Sequence, residues 1–120
     1  MRLLLVEDVD DLRRLFARVL ARAGFEVRQA ADGREALALL AGFTPDVVVT
    51  DLMMPGMDGL ELIRRIRALP DLAEVPVVAM TAAATLEAER AALRAGASGL
   101  LPKPVDAPTL ISCIGAACRG

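Results

Sequence analysis

Five side chains with the chemistry of a phosphate or metal site occur at four separated points of this sequence. Glu7 and Asp8 follow one apolar run, Asp51 follows a second, Thr81 follows a third, and Lys103 comes after a fourth. Carboxylate oxygens are the ligands that Mg²⁺ prefers, and an ammonium group is a compact cation that can balance phosphate oxygens. Gathered in one place, these residues would supply a nucleophile, metal ligands, a hydroxyl donor and a fixed charge, which are the parts of a phosphoryl-transfer site.

Lys103 is the single lysine among 14 basic residues, and it lies between Pro102 and Pro104, whose rings restrict the backbone. Taken alone, Lys103 would be interpreted as a surface charge and Asp51 as a turn or cap residue. Their combination with Glu7 and Asp8 favours a site. Three carboxylates about 4 Å apart would repel by roughly 4 kcal/mol per pair at an effective dielectric of about 20, and they would therefore need a counter-ion.

Apolar runs of strand length alternate with segments of helical periodicity along the chain. The runs occupy residues 3–6, 25–30, 47–49, 75–80 and 99–101. Five alternations of strand and helix predict a parallel sheet with helices on both faces, which is a three-layer α/β fold. No repeat, linker or low-complexity segment interrupts the pattern, so a single domain over residues 1–120, without an output domain, is expected.

The helices are predicted from periodicity and from start signals. In the first helix, apolar residues at i, i+3, i+4, i+7 and i+8 are expected to form the buried face: Leu12, Leu15, Phe16, Val19 and Leu20. Later helices begin at aspartates with a capping-box or first-turn partner: Asp32 with Glu35, Asp58 with Glu61, and Asp106 with Pro108. Gly24 and Gly42 are expected to end the first two helices.

The composition of the strands indicates their order in the sheet. Residues 3–6 and 47–49 are apolar throughout, as strands covered on both faces must be, and they therefore belong in the centre. Residues 25–28 alternate between apolar and charged, so the second strand is expected at an edge. The flavodoxin-like order 2-1-3-4-5 fits these observations.

This sheet would bring the candidate residues to one rim. Ligands of open parallel α/β sheets bind beyond the carboxyl ends of the strands, near the point where the strand order reverses. Four of the five strands lead into a candidate residue, whereas the second ends at Ala30-Ala31, which carry no reactive group. Asp51 is the predicted nucleophile because it ends a central strand and is followed by a loop, residues 53–57, that would leave it accessible.

Composition excludes several classes of protein. A formal net charge of -2 without a basic run gives no general attraction to nucleic acid. No apolar run approaches the roughly 18 residues of a membrane span, and none forms a signal-peptide core, so no membrane association is expected and the protein should stay in the cytoplasm. Cys113 and Cys118 are five positions apart on a predicted helix, point to different sides and are expected to be reduced thiols.

Several segments resemble the receiver domains of two-component response regulators, and the resemblance covers essentially the whole chain. The matching segments are LVED at 5–8, DVVVTDLMMPGMDG at 46–59, TA at 81–82, AGA at 95–97 and KP at 103–104. The resemblance implies that Asp51 receives a phosphoryl group from a phosphohistidine of a sensor histidine kinase or histidine phosphotransfer protein. It also implies Mg²⁺ held by Glu7, Asp8, Asp51 and the Met53 carbonyl, and a cis Lys103–Pro104 bond.

Members of this family are signalling switches that act on a downstream target protein, rather than enzymes that turn over a separate substrate. Their usual switch pairs a strand-four Ser or Thr with a strand-five aromatic residue. Thr81 matches the first, but Leu100 occupies the second position, and the chain has no Tyr or Trp. Either Leu100 is a weaker reporter or output uses another face. The last two elements are the expected output surface, and a monomer or weak dimer is expected.

Three rival functions are weighed against this interpretation. A flavin carrier on the same fold would need a phosphate-binding loop after the first strand, where Glu7 and Asp8 instead repel phosphate. An aspartyl-phosphate hydrolase would need a second carboxylate two residues after its nucleophile, where this chain has Met53. A docking module that has lost phosphorylation is disfavoured by retention of all five residues. The sequence leaves open whether the chain acts alone or was cut from a hybrid kinase or larger regulator.

Overall fold

The computed structural model describes residues 1–119, in which five β-strands alternate with five α-helices. The strands are β1 (Arg2–Val6), β2 (Glu26–Ala30), β3 (Val47–Asp51), β4 (Val77–Thr81) and β5 (Gly99–Pro102). The helices are α1 (Asp10–Arg22), α2 (Gly33–Leu40), α3 (Gly59–Ala68), α4 (Leu86–Ala95) and α5 (Ala107–Arg119), with a 3₁₀ turn at Pro70–Leu72. None of these helices has the length and apolar character that a membrane span requires.

All five strands are parallel and lie in the order β2-β1-β3-β4-β5, which confirms the predicted topology. The register pairs Asp51 of β3 with Met80 of β4, and Thr81 of β4 with Pro102 of β5. β2 is an edge strand, as its alternating pattern predicted. The carboxyl ends of the strands consequently share one rim.

The sheet is buried on both faces, which explains the continuous apolar runs of its inner strands. Leu4 and Val6 of β1 pack into one apolar cluster, while Leu3 and Leu5 pack into a second cluster on the opposite face. Every residue of β3 and of β4 is buried. These two apolar layers fix the central strands, and therefore the side chains at their carboxyl ends.

The predicted start of β4 was two residues too early. The strand begins at Val77 rather than at Val75. Pro76 has no N–H to donate to a ladder, although its carbonyl accepts a hydrogen bond of 2.9 Å from Val48 N.

The predicted buried face of α1 was wrong at one position. Leu15 is 52% exposed, whereas Ala17 is buried beside Phe16 and Leu20. Successive helical residues are about 100° apart, so the centre of the buried arc lies between Phe16 and Leu20, on the side of Ala17 and Arg13. Leu15 lies well outside this arc, and the side chain of Arg13 is only 13% exposed.

The aspartate start signals are confirmed by hydrogen bonds to backbone amides. Asp32 accepts from Glu35 N at 2.9 Å, and Asp58 accepts from Glu61 N at 2.8 Å. The reciprocal half of the capping box is absent at α3, because the Glu61 carboxylate pairs with Arg65 instead. Asp106 accepts from Thr109 N at 2.8 Å in the first turn of α5.

Helix ends were predicted with mixed success. Gly24 follows α1 with φ 103°, the left-handed conformation that favours glycine. Gly42 follows α2 at the same distance, two residues after Leu40, but it does not have a left-handed φ. The start of α4 was not predicted from the sequence. Its N-cap is Thr85, whose side chain accepts from Ala88 N, but position 88 is not the Glu or Gln that would mark a capping box.

Both cysteines are free thiols, as predicted. Burial raises the pKa of the Cys113 thiol, and it also raises that of Cys118, with a smaller contribution from the Asp46 carboxylate.

Gly59 allows the loop after β3 to fold back against the strand end. Its N–H donates to the carbonyl of Leu52 at 2.9 Å. A Cβ at this position would collide with the carbonyl oxygen of Asp51 and lie 2.6 Å from the Cα of Leu52. Both obstacles are backbone atoms, so the loop has no side chain that could move aside.

We predict that Gly59→Ala lowers the free energy of unfolding by about 1–3 kcal/mol, the usual cost of overpacking. Gly42→Ala is the matched control, since an added Cβ there meets nothing within 4 Å. Urea denaturation followed by circular dichroism measures both. Equal stability of the two variants would contradict the close approach.

Candidate functional site

The candidate residues lie at the carboxyl-end rim of the sheet. Glu7 and Asp8 follow β1 directly, Asp51 ends β3, Thr81 ends β4, and Lys103 follows β5. The edge strand β2 ends at Ala30 and contributes none of them, which matches the prediction from the empty strand end.

Lys103 joins two strand ends by hydrogen-bonded ion pairs. Its Nζ lies 2.6 Å from Oε1 of Glu7 and 2.9 Å from Oδ2 of Asp51. The Glu7 side chain is fully buried, and those of Asp51 and Lys103 are 7% and 15% exposed. The Lys103 N–H donates to the carbonyl of Thr81 at 2.8 Å, and the Lys103–Pro104 bond is cis, as the resemblance implied. The position of Lys103 is therefore fixed by its backbone hydrogen bond to Thr81 as well as by its two ion pairs.

Glu7, Asp8 and Asp51 form an acidic cluster. One carboxylate oxygen from each lies within 4.8 Å of the others. At this separation each pair of charges repels by roughly 3–4 kcal/mol at an effective dielectric of about 20, and Lys103 offsets part of this repulsion. Hydrogen bonds from Lys103, Val9 and Met53 go to Glu7 and Asp51, whereas none from a described residue reaches the Asp8 carboxylate.

The environment changes the proton affinity of the paired groups. Burial raises the pKa of Glu7 and the nearby Asp51 charge adds to the effect, while hydrogen bonds from Lys103 and Val9 N oppose it. Burial alone would lower the pKa of Lys103, but hydrogen bonds to Glu7 and Asp51 outweigh it and hold that pKa above its ordinary value. Lys103 is therefore a permanent cation at neutral pH.

Asp51 is oriented by its own loop. Its Oδ1 accepts from Met53 N at 3.2 Å, and its backbone carbonyl accepts from the Thr50 hydroxyl at 3.0 Å. Residues 52–58 after the strand form no helix, and the Met53 side chain is 65% exposed. The carboxylate thus stands at the inner end of an open loop.

Thr81 and Leu100, the predicted switch positions, lie in neighbouring strands. Thr81 is buried, and its Oγ1 accepts from Ala83 N at 3.1 Å. This bond uses an oxygen lone pair and leaves the hydroxyl hydrogen able to donate elsewhere. Leu100 pairs with Ala79 across the β4–β5 ladder and packs against the apolar cluster of that face. Its side chain is half-buried, with aliphatic residues of that cluster on the covered side.

Arg13 lies next to the site, although no sequence motif indicated it. Its Nη1 donates to the carbonyl of Glu7 at 2.9 Å, and its Nη2 pairs with Asp10 at 2.8 Å. The available signal was the i, i+3 spacing of Asp10 and Arg13, together with the position of Arg13 on the buried arc of α1. Periodicity of apolar residues alone could not reveal it.

The donor set fits magnesium. The acidic cluster offers three hard oxygen donors, and Mg²⁺ takes oxygen ligands from one or two carboxylates together with waters and phosphate. No soft donor takes part, since the cluster contains neither cysteine nor histidine. The Met53 carbonyl belongs to the adjacent loop and is the fourth ligand that the resemblance implied.

We predict that Lys103→Met lowers the free energy of unfolding in EDTA by about 3–5 kcal/mol, because it leaves buried Glu7 beside Asp51 without a cation. Adding Glu7→Gln should recover part of this loss by removing the unpaired charge. Arg18→Met, at an exposed position of α1, is the control that removes one positive charge elsewhere. Urea titrations that place Lys103→Met level with Arg18→Met would contradict the pairing.

Comparison with known proteins gives a consistent set of relatives. A family model described as "Response regulator receiver domain" matches residues 3–115. The response regulator MprA of Mycolicibacterium vanbaalenii is 41% identical over 118 residues, covering 98% of this chain and 50% of MprA. An uncharacterized 14.6 kDa protein in the sodA1 3′ region of Leptolyngbya boryana is 42% identical over 118 residues, covering 98% of this chain and 90% of that protein.

The fold is also similar to that of solved structures. The chemotaxis response regulator CheY4 of Vibrio cholerae superposes with a TM-score of 0.92 at 33% identity, covering 97% of each chain. This chain spans about half the length of MprA, so activities of that longer protein are not transferred to it. On the agreement of the family model, the relatives and the fold, the chain belongs to the response regulator receiver domains of two-component signalling.

Proposed function

We propose that this receiver domain is switched by transfer of a phosphoryl group to Asp51 in a Mg²⁺-dependent reaction. The observation that carries the proposal is the Lys103 ammonium, 2.9 Å from Oδ2 of Asp51 inside the cluster of three carboxylates. A nucleophilic oxygen, a fixed cation and hard metal ligands thus meet at one strand end.

The donor is a phosphohistidine outside these residues. The 120 residues of this sequence contain no histidine and so do not themselves include the donor group. In the transfer, an Asp51 carboxylate oxygen forms a bond to phosphorus while the phosphorus–nitrogen bond of the donor breaks. The imidazole nitrogen keeps the electron pair and takes up a proton, which leaves an acyl phosphate on Asp51 and a neutral histidine on the donor. A sensor histidine kinase or histidine phosphotransfer protein is the partner of this chemistry.

Each residue of the site has a defined role. Glu7, Asp8, Asp51 and the Met53 carbonyl would hold Mg²⁺, which supplies charge neutralisation to the phosphoryl oxygens when bound. Lys103 places its positive charge beside the same oxygens. Thr81 retains a hydroxyl hydrogen that can be donated to one of them.

Phosphorylation would act as a switch rather than as turnover of a separate substrate. Donation from Thr81 to the phosphoryl group would shift the Thr81–Ala83 contact and with it the start of the β4–α4 loop. Leu100 replaces the aromatic residue of the usual family switch, so the change is expected to involve aliphatic repacking along β5. The expected output surface is that of the last two elements, β5 and α5, and the neighbouring helix α4 adds the side chains of Leu86 and Leu93, which are 62% and 49% exposed.

The domain extent, cellular location and oligomeric state are further parts of the proposal. We propose a single receiver domain over residues 1–120 that acts in the cytoplasm as a monomer or weak dimer. It would work either alone or as part of a longer regulator or hybrid kinase. The second candidate function is a receiver-like docking module without phosphorylation. Reaction with a phosphoryl donor, followed by mass spectrometry, separates the two.

We predict that a phosphoramidate donor with Mg²⁺ adds one phosphoryl group to the wild-type protein, because its phosphorus–nitrogen bond resembles that of phosphohistidine. Asp51→Asn should abolish the mass increase, since the amide lacks the nucleophilic oxygen. Asp11→Asn, in the exposed first turn of α1, is the matched control and should react like wild type. Intact-mass spectrometry that finds no phosphoryl group on wild type would support the docking module instead.

We also predict that Asp8→Asn weakens Mg²⁺ binding by more than about tenfold, because loss of outer partners of a metal ligand already costs about 10–100-fold. Isothermal titration calorimetry is the suitable measurement, since the chain has no Tyr or Trp for intrinsic fluorescence. Asp11→Asn again serves as control, as it removes one charge from the neighbouring helix. Equal affinities in the two variants would remove Asp8 from the metal site.

A further inference from the structure

We propose that Arg13 is a positioning residue of the Mg²⁺ site, which fixes the backbone of Glu7 and thereby holds the Asp8 carboxylate in place. The inference rests on the proposed function, because it concerns the metal of that same site. The contact that carries it is the bond of 2.9 Å from Arg13 Nη1 to the Glu7 carbonyl oxygen.

The Glu7 carbonyl lies where the sheet can no longer bind it. β1 ends at Val6, which pairs with Ala30 of β2 and with Thr50 of β3. The Glu7 N–H still donates to the Ala30 carbonyl at 3.1 Å, but its own carbonyl lies beyond both ladders. Glu7 is fully buried, and a buried backbone carbonyl requires a donor. The Arg13 guanidinium supplies that donor.

The start of α1 lacks a side-chain cap of its own, and besides the bond of 3.1 Å from Val9 N to Oε2 of Glu7 it is held by Arg13. Its N-cap residue is Val9, which has no side-chain oxygen and makes no capping hydrogen bond. The Arg13 side chain returns from the first turn of the helix to the end of β1, while its backbone N–H donates to the Val9 carbonyl at 2.8 Å. Arg13 therefore binds a backbone carbonyl on each side of Asp8, that of Glu7 through its side chain and that of Val9 through its N–H.

Arg13 is itself held in one orientation. Its Nη2 pairs with Asp10 at 2.8 Å, and its side chain is only 13% exposed. A planar guanidinium bound at two nitrogens has less freedom than an ammonium, so lysine is not an equivalent replacement. The charge of Arg13 is already neutralised by Asp10, so its effect on the acidic cluster acts mainly through geometry.

Asp8 depends on this support more than the other carboxylates do. Glu7 and Asp51 are oriented by hydrogen bonds to their side chains, whereas no described residue donates to the Asp8 carboxylate. Its position is consequently set by the backbone of residues 7–9. Release of the Glu7 carbonyl would let that backbone move and would weaken metal binding, while Asp51 and Lys103 would keep their places for the transfer step.

The test compares Arg13→Met with Arg14→Met, which removes the same charge from the adjacent, exposed position of α1. Calorimetric titration with MgCl₂ should give about tenfold weaker binding for Arg13→Met than for Arg14→Met, the lower end of the effect of outer-shell partners. The rate of phosphorylation from phosphoramidate at saturating Mg²⁺ should be the same in both. In the metal-free proteins, amide hydrogen exchange at Asp8 and Val9 should be faster in Arg13→Met alone.

Two further variants keep the proposal falsifiable if Arg13→Met does not fold. Asp10→Asn removes the outer anchor of the guanidinium and should bind Mg²⁺ more weakly than Asp11→Asn, which removes the same charge from the next position, and Arg13→Lys should bind Mg²⁺ more weakly than wild type. Mg²⁺ affinity in Asp10→Asn equal to that of Asp11→Asn, or equal affinities for Arg13→Met and Arg14→Met, would overturn the positioning role. Failure of the wild-type protein to bind Mg²⁺ would instead overturn the proposed function.

Discussion

The structure depends on one largely buried ammonium group, 15% exposed, that is held between two carboxylates. Lys103 binds Glu7, which is 96 positions away in the sequence, and Asp51, which is 52 positions away. Neither the lysine nor buried Glu7 could be accommodated alone, because an unpaired buried charge costs several kcal/mol. The ends of β1 and β3 are thus tied to the segment after β5, across the part of the rim where the strand order reverses.

This ion pair can form only because the sheet beneath it is rigid. β1, β3 and β4 are packed on both faces by two apolar clusters, so their carboxyl ends have little freedom to move. Gly59 then lets the β3–α3 loop fold against the Asp51 backbone, and Arg13 closes the β1–α1 turn. The apolar layers set the approximate position of each carboxylate, and the polar contacts set its orientation. Binding of a metal or a phosphoryl group would use a site whose geometry the fold has already established.

Much of the fold could be predicted because its signals are local or periodic. Apolar runs in β1 and β3, the alternation in β2 and the capping aspartates each reflect burial or hydrogen bonding within a few residues. The strand patterns indicated which strands are central and which is at an edge, and the flavodoxin-like order that fits them is the one observed. Errors occurred where the local pattern was ambiguous. Leu15 fits a helical period but lies outside the buried arc, and Gly42 follows α2 without adopting a left-handed conformation.

The carboxylates and the lysine that the structure brings together could be identified from the sequence, but their contacts could not. Strand-end positions indicated which residues meet, since parallel strands share one rim. The pairing of Lys103 with Glu7, the bond from Ala83 N to Thr81, and the support of Glu7 by Arg13 depend on side-chain directions that no spacing specifies.

The most direct test of the central ion pair uses the fact that Lys103 is the single lysine of the chain. In protein labelled with ¹⁵N-lysine, the side-chain nitrogen gives one resonance, whose pH titration reports the state of this ammonium alone. The account predicts a pKa above the ordinary lysine value, and a lower pKa in Glu7→Gln, where one of the two carboxylate partners is removed. An ordinary lysine pKa that is unchanged by Glu7→Gln would contradict the account.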